Sequence, residues 1–249
     1  MSTAELVARF GALTSDDVAA LDSAAVACGV DILQLMEIAG WQVARAAWQQ
    51  VGEQTADVLV LCGRGNNGGD GLVASRHLAS WGCTVRSHVL SEHEHLSPLA
   101  RKHAESARAC GATLSFSEDP DQVLAQLHTA SLLIDGILGT GLHDPPREPQ
   151  ASAIRAVNAS GMRVLSIDVP SGMDATTGSA PGACIRATAT CTLAAIKAGL
   201  WKPDGRHAAG RIVVADIGMP AAAWIRCGLT PPTDVRGGML LPIEAPTSP

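Results

Sequence analysis

Short apolar runs recur along the chain with polar, glycine-rich breaks between them: "DVLVLC" at 57–62, "CTVRSHVL" at 83–90, 113–116, "SLLID" at 131–135, "RVLSID" at 163–168, "ATATCTL" at 187–193 and "RIVVA" at 211–215. Their length and their content of Val, Ile, Leu and Thr predict strands. Segments at about 70–81, 97–110, 120–129 and 149–160 lie between them and read as helices. Such alternation predicts an α/β fold with a mostly parallel, doubly wound sheet covered on both faces. The first fifty residues carry a helical pattern instead. "TSDDVAALDSAAVACG" opens on hydroxyls and two aspartates and stops at Gly29, a capped helix with charges that suit its dipole. "DILQLMEIAGWQVARAAWQQV" puts Ile32, Leu35, Met36, Ala39 and Val43 at helical spacing, so the two segments read as a packed helix pair. From about 229 the chain is rich in Pro and Gly and is expected to lie outside the core, as an extended or disordered C-terminal tail on a single domain spanning 1–228.

Composition narrows the class. With 47% hydrophobic and 17% charged residues over 249 positions, the chain is globular rather than disordered. A net charge of -6 argues against wrapping nucleic acid, which needs a clustered Lys/Arg surplus, but leaves room for a phosphate-bearing small molecule. The seven cysteines form no CxxC pair, and those in apolar runs (Cys62, Cys191) read as small buried side chains in a reducing compartment. The opening residues lack the features of a signal peptide, and no apolar run reaches about 18 residues. The expectation is a soluble, cytoplasmic protein with no membrane span.

In a parallel sheet, ligands bind at the carboxyl ends of the strands. Three such ends carry chemistry: "GRGNNGGDG" after the first run, "LLIDGILGTGLHD" at 132–144 and "VLSIDVPSGMDATTG" at 164–178. Each places an aspartate near the strand end, namely Asp70, Asp135 and Asp168. The first loop satisfies G-x-G-x-x-G through Gly63, Gly65 and Gly68, with Glu92 placed to contact a ribose. It equally fits a tight turn in which Asp70 only caps a helix; a Walker loop is disfavoured because no Lys-Ser/Thr follows. The backbone of Gly139, Thr140 and Gly141 is suited to bind an anion such as a pyrophosphate. Oxygen donors from Asn67, Asp135 and Ser171 suit a hard or large cation better than zinc. His88, His93 and His95 read as a solvated surface loop, and Lys197 as either a snorkelling lysine or a phosphate contact. The absence of G-x-S-x-G disfavours a serine hydrolase.

Taken together, "GRGNNGGDGLVASRHL", "DGILGTGL" and "IDVPSGMDATTG" resemble, in order and spacing, the NAD(P)H-hydrate epimerase family, or YjeF N-terminal domain. "LDSAAVACGVDILQLMEIAG" is similar to that family's opening helices, and "TCTLAAIKAGL" to its Thr-rich strand and following lysine. The resemblance covers about residues 14 to 218. It implies a Rossmann-like three-layer αβα sandwich and an isomerase that interconverts the R and S forms of hydrated NADH and NADPH (NADHX and NADPHX). A partner dehydratase, expected as a separate protein, would act on the S form. Carried over by position, Asn66, Asn67, Gly68, Gly69 and Asp70 contact substrate, as do Gly139, Thr140, Gly141, Leu142, His143, Asp144, Pro145 and Asp168. Asn67, Asp135 and Ser171 hold one potassium ion, and a homodimer is implied. Where the family commonly carries an arginine and a tyrosine, this chain has Asp144 and Gln150, with Arg147 nearby as a replacement cation.

The hydrated ring carbon carries a hydroxyl and the ring nitrogen, so its configuration is lost by departure and return of water or by ring opening. Both routes need proton transfer and stabilisation of developing charge. Asp135 and Asp168 are expected to supply these, one as acid/base and the other as electrostatic partner. The rival readings are a non-catalytic nucleotide-binding or interaction scaffold and an NAD-dependent oxidoreductase.

Overall fold

The computed structural model describes residues 2–52, 56–127 and 130–243. In chain order its elements are α1 (Thr3–Phe10), α2 (Ser15–Ala27), α3 (Ile32–Val51), β1 (Asp57–Cys62), α4 (Asn66–Ser80), β2 (Thr84–Val89), α5 (Pro98–Ala109), β3 (Thr113–Phe116), α6 (Pro120–Leu127) and β4 (Leu132–Gly136). There follow α7 (Gln150–Ser160), β5 (Val164–Ile167), β6 (Ala189–Leu193), α8 (Pro203–Ala209), β7 (Arg211–Ala215), α9 (Ala221–Arg226) and β8 (Leu240–Ile243). All seven predicted strands are present. The last two residues of the predicted helix 120–129 lie outside the described residues, as do residues 244–249 of the tail.

The strands form one sheet in the order β3-β2-β1-β4-β5-β6-β7-β8, parallel except for β8, which runs antiparallel to β7. Strand order reverses between β1 and β4, so their carboxyl ends open a crevice between helices leaving on opposite faces. Side-chain alternation on β1 displays both layers. Val58, Val60 and Cys62 pack with residues of α3, α4 and α5, while Leu59 and Leu61 pack with Val123 and Leu127 of α6 and Ile154 of α7. Burial on both faces explains why the strands read as continuous apolar runs.

The first and last described elements, α1 and β8, join the core. Leu6 and Phe10 of α1 join a cluster with Ile212, Val214, Val235 and Ile243. The stretch after 229, expected outside the core, supplies an edge strand, and its Asp234 pairs with Arg9. The Pro and Gly content there reflects tight turns before β8, with Gly237 and Gly238 both at positive φ. After α1, residues 10–13 run alongside 196–198: Ile196 N–H donates to the Phe10 carbonyl (2.8 Å), Leu13 N–H to Ile196 (2.9 Å) and Ala198 N–H to Leu13 (2.7 Å).

Helices α3 and α4 approach closely where Gly40 faces Val73. A Cβ on Gly40 would lie 2.4 Å from the Val73 Cβ and 2.7 Å from the Asp70 carbonyl oxygen. Neither neighbour is the end of a flexible side chain. Gly40→Ala is therefore expected to destabilise the protein by about 1–3 kcal/mol, seen as a lower urea midpoint with an unchanged m-value.

Candidate active site

The crevice between β1 and β4 is a cavity of about 930 Å³, near the upper end of the size range of small-molecule sites. Its walls come from α2 and α3, the first turn of α4, the loop after β4 and the segments after β5 and β6. One side is apolar, with Val18, Ile32, Leu35, Met36, Ile217 and Met219; the other is charged.

Helix α4 begins inside the glycine loop. Gly65 is its N-cap and has no side-chain capping bond, so the first N–H groups of α4 face the cavity beside Asn66 and Asn67. The glycines divide into two roles. Gly65 and Gly141 border open space, whereas a Cβ on Gly68 would meet the Gly63 carbonyl oxygen at 1.9 Å and one on Gly69 the Met36 sulfur at 2.6 Å. Gly68 and Gly69, carried over as substrate contacts, instead seat α4 against its own strand-end loop and α3, and neither lines the cavity. Asn66, Asn67, Asp70, Gly139, Thr140, Gly141, Leu142, His143, Asp144, Pro145 and Asp168 do line it. Arg147 is there too, on the exposed loop that also carries Asp144, and Arg64 lines the glycine-loop side. Glu92 is absent from the lining; Glu118, after β3, is present.

Asp168 follows β5 in the left-handed conformation at φ 67°, uncommon for a residue with a Cβ. Its carboxylate accepts from Leu193 N–H (3.0 Å) and the Thr192 hydroxyl (3.3 Å), and pairs with Lys197. Lys197, 1% exposed, also donates to the carbonyls of Leu193 (2.6 Å) and Ala195 (3.2 Å). Those carbonyls converge because Ala194 between them is left-handed as well, at φ 63°. Three donors thus meet three acceptors, so the ammonium has no proton to spare for a ligand. Lys197 neither snorkels nor waits for phosphate; it fixes Asp168.

Asp70, on the first turns of α4, is 8% exposed and accepts no hydrogen bond from any described residue. Burial, then the carboxylates of Asp168 and Asp22, push its pKa well above the usual carboxylate range against the pull of Lys197. Asp22, on α2, is raised by the same order of causes, burial first and Asp168 second, with Lys197 opposing. Sequence reasoning missed Asp22. Its signal was a single acid on the helical stripe Ser15, Val18, Ala19 and Asp22, which all line the cavity.

Asp135 is different. It is fully buried, lies outside the cavity lining, and accepts from the Ser166 hydroxyl (2.8 Å), Ser171 N–H (3.0 Å), the Ser171 hydroxyl (2.5 Å) and Ile137 N–H (3.3 Å). Burial raises its pKa, and these bonds oppose the rise. Asp135, one of the two aspartates expected to share the acid/base and electrostatic roles, is thus a buried acceptor that ties two loops together. Asn67 belongs to the same knot, because its amide donates to the Leu138 carbonyl (2.9 Å), which the Ser171 hydroxyl also approaches (3.1 Å). Asn67, Asp135 and Ser171 are therefore brought together, with a buried carboxylate that has no cationic partner among the described residues. An all-oxygen set with one negative charge fits a hard, large cation. No group of three His, Cys, Asp or Glu side chains among the described residues is placed to hold a metal ion. His88 is buried on β2, bonded to the Ser115 hydroxyl and the Ser117 carbonyl, rather than solvated with His93 and His95.

A doubly wound, mostly parallel sheet with a cleft at its switch point, lined by carboxyls, defines an α/β protein of the Rossmann-like class. The family model described as YjeF-related protein N-terminus matches residues 32–199, and the chain belongs to that family. It is 42% identical over 221 residues to the bifunctional NAD(P)H-hydrate repair enzyme Nnr of Hyperthermus butylicus, which covers 87% of this chain and 40% of that protein. It is 35% identical over 203 residues to the NAD(P)H-hydrate epimerase of Dehalogenimonas lykanthroporepellens, covering 81% of this chain and 79% of that one. The crystal structure of yeast ynu0 (YNL200c) superposes with a TM-score of 0.78 over 93% of this chain and 99% of that one, at 24% identity, and shares the fold. The chain thus spans about two-fifths of the length of its bifunctional relatives. No described helix is long and apolar enough to cross a membrane.

Because native Asp70 keeps its proton where the unfolded chain has lost it, stability falls as pH rises from about 4 through the raised pKa. Asp70→Asn removes this dependence. Thermal melts are expected to show the variant more stable than wild type at pH 8 and level with it below pH 4, with about 2–4 °C gained per kcal/mol relieved.

Proposed function

We propose that the protein is an NAD(P)H-hydrate epimerase, interconverting the R and S forms of NADHX and NADPHX. The observation that carries this reading is a buried carboxyl, Asp70, with no partner among the described residues, set in one cavity of dinucleotide size with the ion-paired Asp168. The similarity to a relative named for this activity, over four-fifths of both chains, supports it. The hydrated ring sits against the apolar wall of Leu35, Met36 and Ile217, and the pyrophosphate lies near the first N–H groups of α4 and the loop after β4. Arg147 supplies the cation that Asp144 cannot.

Asp70 acts as the acid/base. Burial, then Asp168 and Asp22, raise its pKa well above the usual carboxylate range, so it holds a proton for the departing hydroxyl to higher pH than a free carboxyl does. Asp168, held by Lys197, faces the positive charge that develops at the ring nitrogen. Potassium, bound by Asn67, Asp135 and Ser171, would supply fixed positive charge that keeps Asp135 ionised. A separate dehydratase acting on the S epimer is the expected pathway partner.

The decisive assay supplies R-NADHX with an S-specific dehydratase and follows the appearance of NADH. Acceleration by the protein in potassium buffer is expected; none at all would favour the scaffold reading. Asp168→Asn is expected to lower kcat by about 10²-fold or more while the chain stays folded. Asp135→Asn is expected to raise the potassium concentration needed for half-maximal rate, and an unchanged potassium titration would remove Asp135 from the ion's site.

A further inference from the structure

The inference below rests on the epimerase reading and extends it. When a hydroxyl leaves one face of a ring carbon and returns to the other, proton transfer is needed on both faces. A single carboxyl on a rigid wall is within hydrogen-bond reach of only one. The cavity offers carboxyls from two walls. Asp70 stands on α4, and Asp22 stands on α2, within electrostatic reach of Asp70, Asp168 and Lys197. Neither carboxyl forms a hydrogen bond or ion pair with any described residue, and Asp70 is 8% exposed.

Helix α2 holds Asp22 firmly. The Thr14–Asp17 capping box starts the helix, Ser15 N–H donates to the Thr176 hydroxyl (3.0 Å), and Leu21 and Ala25 pack in one buried cluster with Trp224 of α9. Asp22 thus projects from an anchored element into the same charged floor. Its neighbours Val18 and Ala19 border the cavity without offering a competing polar group.

We propose that Asp22 is a second acid/base residue of the reaction, serving the ring face opposite the one served by Asp70. One of the two carboxyls, protonated, gives its proton to the ring hydroxyl. The C–O bond breaks, water departs, and the nitrogen lone pair forms the C=N bond of an iminium. Water then adds from the other face. Its oxygen makes the new C–O bond, the C=N electrons return to nitrogen, and its surplus proton passes to the other carboxyl, which is ionised. The two carboxyls have exchanged protonation states, and solvent restores them. No oxidant, reductant or co-substrate is consumed. Three carboxyls around one ammonium favour the cationic intermediate.

The test is epimerisation in H₂¹⁸O, starting from each purified epimer, with oxygen uptake and configuration read by mass spectrometry and NMR after subtraction of the uncatalysed rate. Wild type is expected to incorporate solvent oxygen with every inversion. Asp22→Asn is expected to slow inversion by about 10²-fold or more, yet to let one epimer exchange its hydroxyl with retention. Asp70→Asn is expected to do the same for the opposite epimer, and Asp22→Glu to recover part of the inversion rate. A loss of exchange on both epimers in Asp22→Asn, or inversion within about twofold of wild type, overturns the proposal. So does wild-type inversion without oxygen uptake, which signals ring opening. A wild-type protein that inverts neither epimer removes the epimerase reading itself, a result distinct from the others.

Discussion

A carboxylate taken out of water without a cation beside it costs several kcal/mol unless donors replace its hydration. Asp135 meets that demand with four donors drawn from three places: Ile137 just past β4, Ser166 on β5, and the backbone and hydroxyl of Ser171 beyond it. Satisfying one buried group therefore fixes the mutual placement of the loops that leave β4 and β5. The Leu138 carbonyl carries the constraint onward to Asn67 and the first turn of α4. The loops after β4 and β5 and the first turn of α4 are thus tied to one another through this knot.

On that frame the acids divide their labour by partner. Asp168 has a permanent cation, Lys197, and the left-handed turn at Ala194 exists to aim two carbonyls at the same ammonium. Among the described residues Asp70 and Asp22 have no partner of their own, and both share the field of the pair. Carboxyls that share one field do not all ionise at the same pH, so the group holds a proton where separate acids would each have lost theirs. The cost is borne by stability, since an unpartnered buried carboxyl is retained where a hydrophobic residue would pack better.

The fold was legible from periodicity because parallel strands buried on both faces read as uninterrupted apolar runs, and all seven emerged within a residue or two. The edge strand at Leu240–Ile243 was not, since short edge strands amid Pro and Gly carry no alternation to detect. The site was legible in its loops: the residues from Gly139 to Pro145, with Asp70 and Asp168, all border the cavity. What sequence could not distinguish was a carboxyl facing solvent from one facing serines. Asp135 and Asp168 occupy the same kind of strand end, and only the positions of Ser166 and Ser171 against those of Lys197 separate them. Asp22 escaped although it lies in the segment similar to the family's opening helices, because on a helix away from the glycine loops it reads as one of several surface acids.

The pairing of residues 10–13 with 196–198 joins the start of the chain to the lysine that positions Asp168. Contacts this distant in sequence close late, after the loop-entropy cost has been met. At 5–20 residues per second of synthesis, the first segment waits on the order of 10–40 s for its partner to be made. Throughout that interval Leu6 and Phe10, buried in the finished protein, have no cluster to enter. The apolar face of α1 therefore stays uncovered until the segments around 169–243 that it packs against have been made.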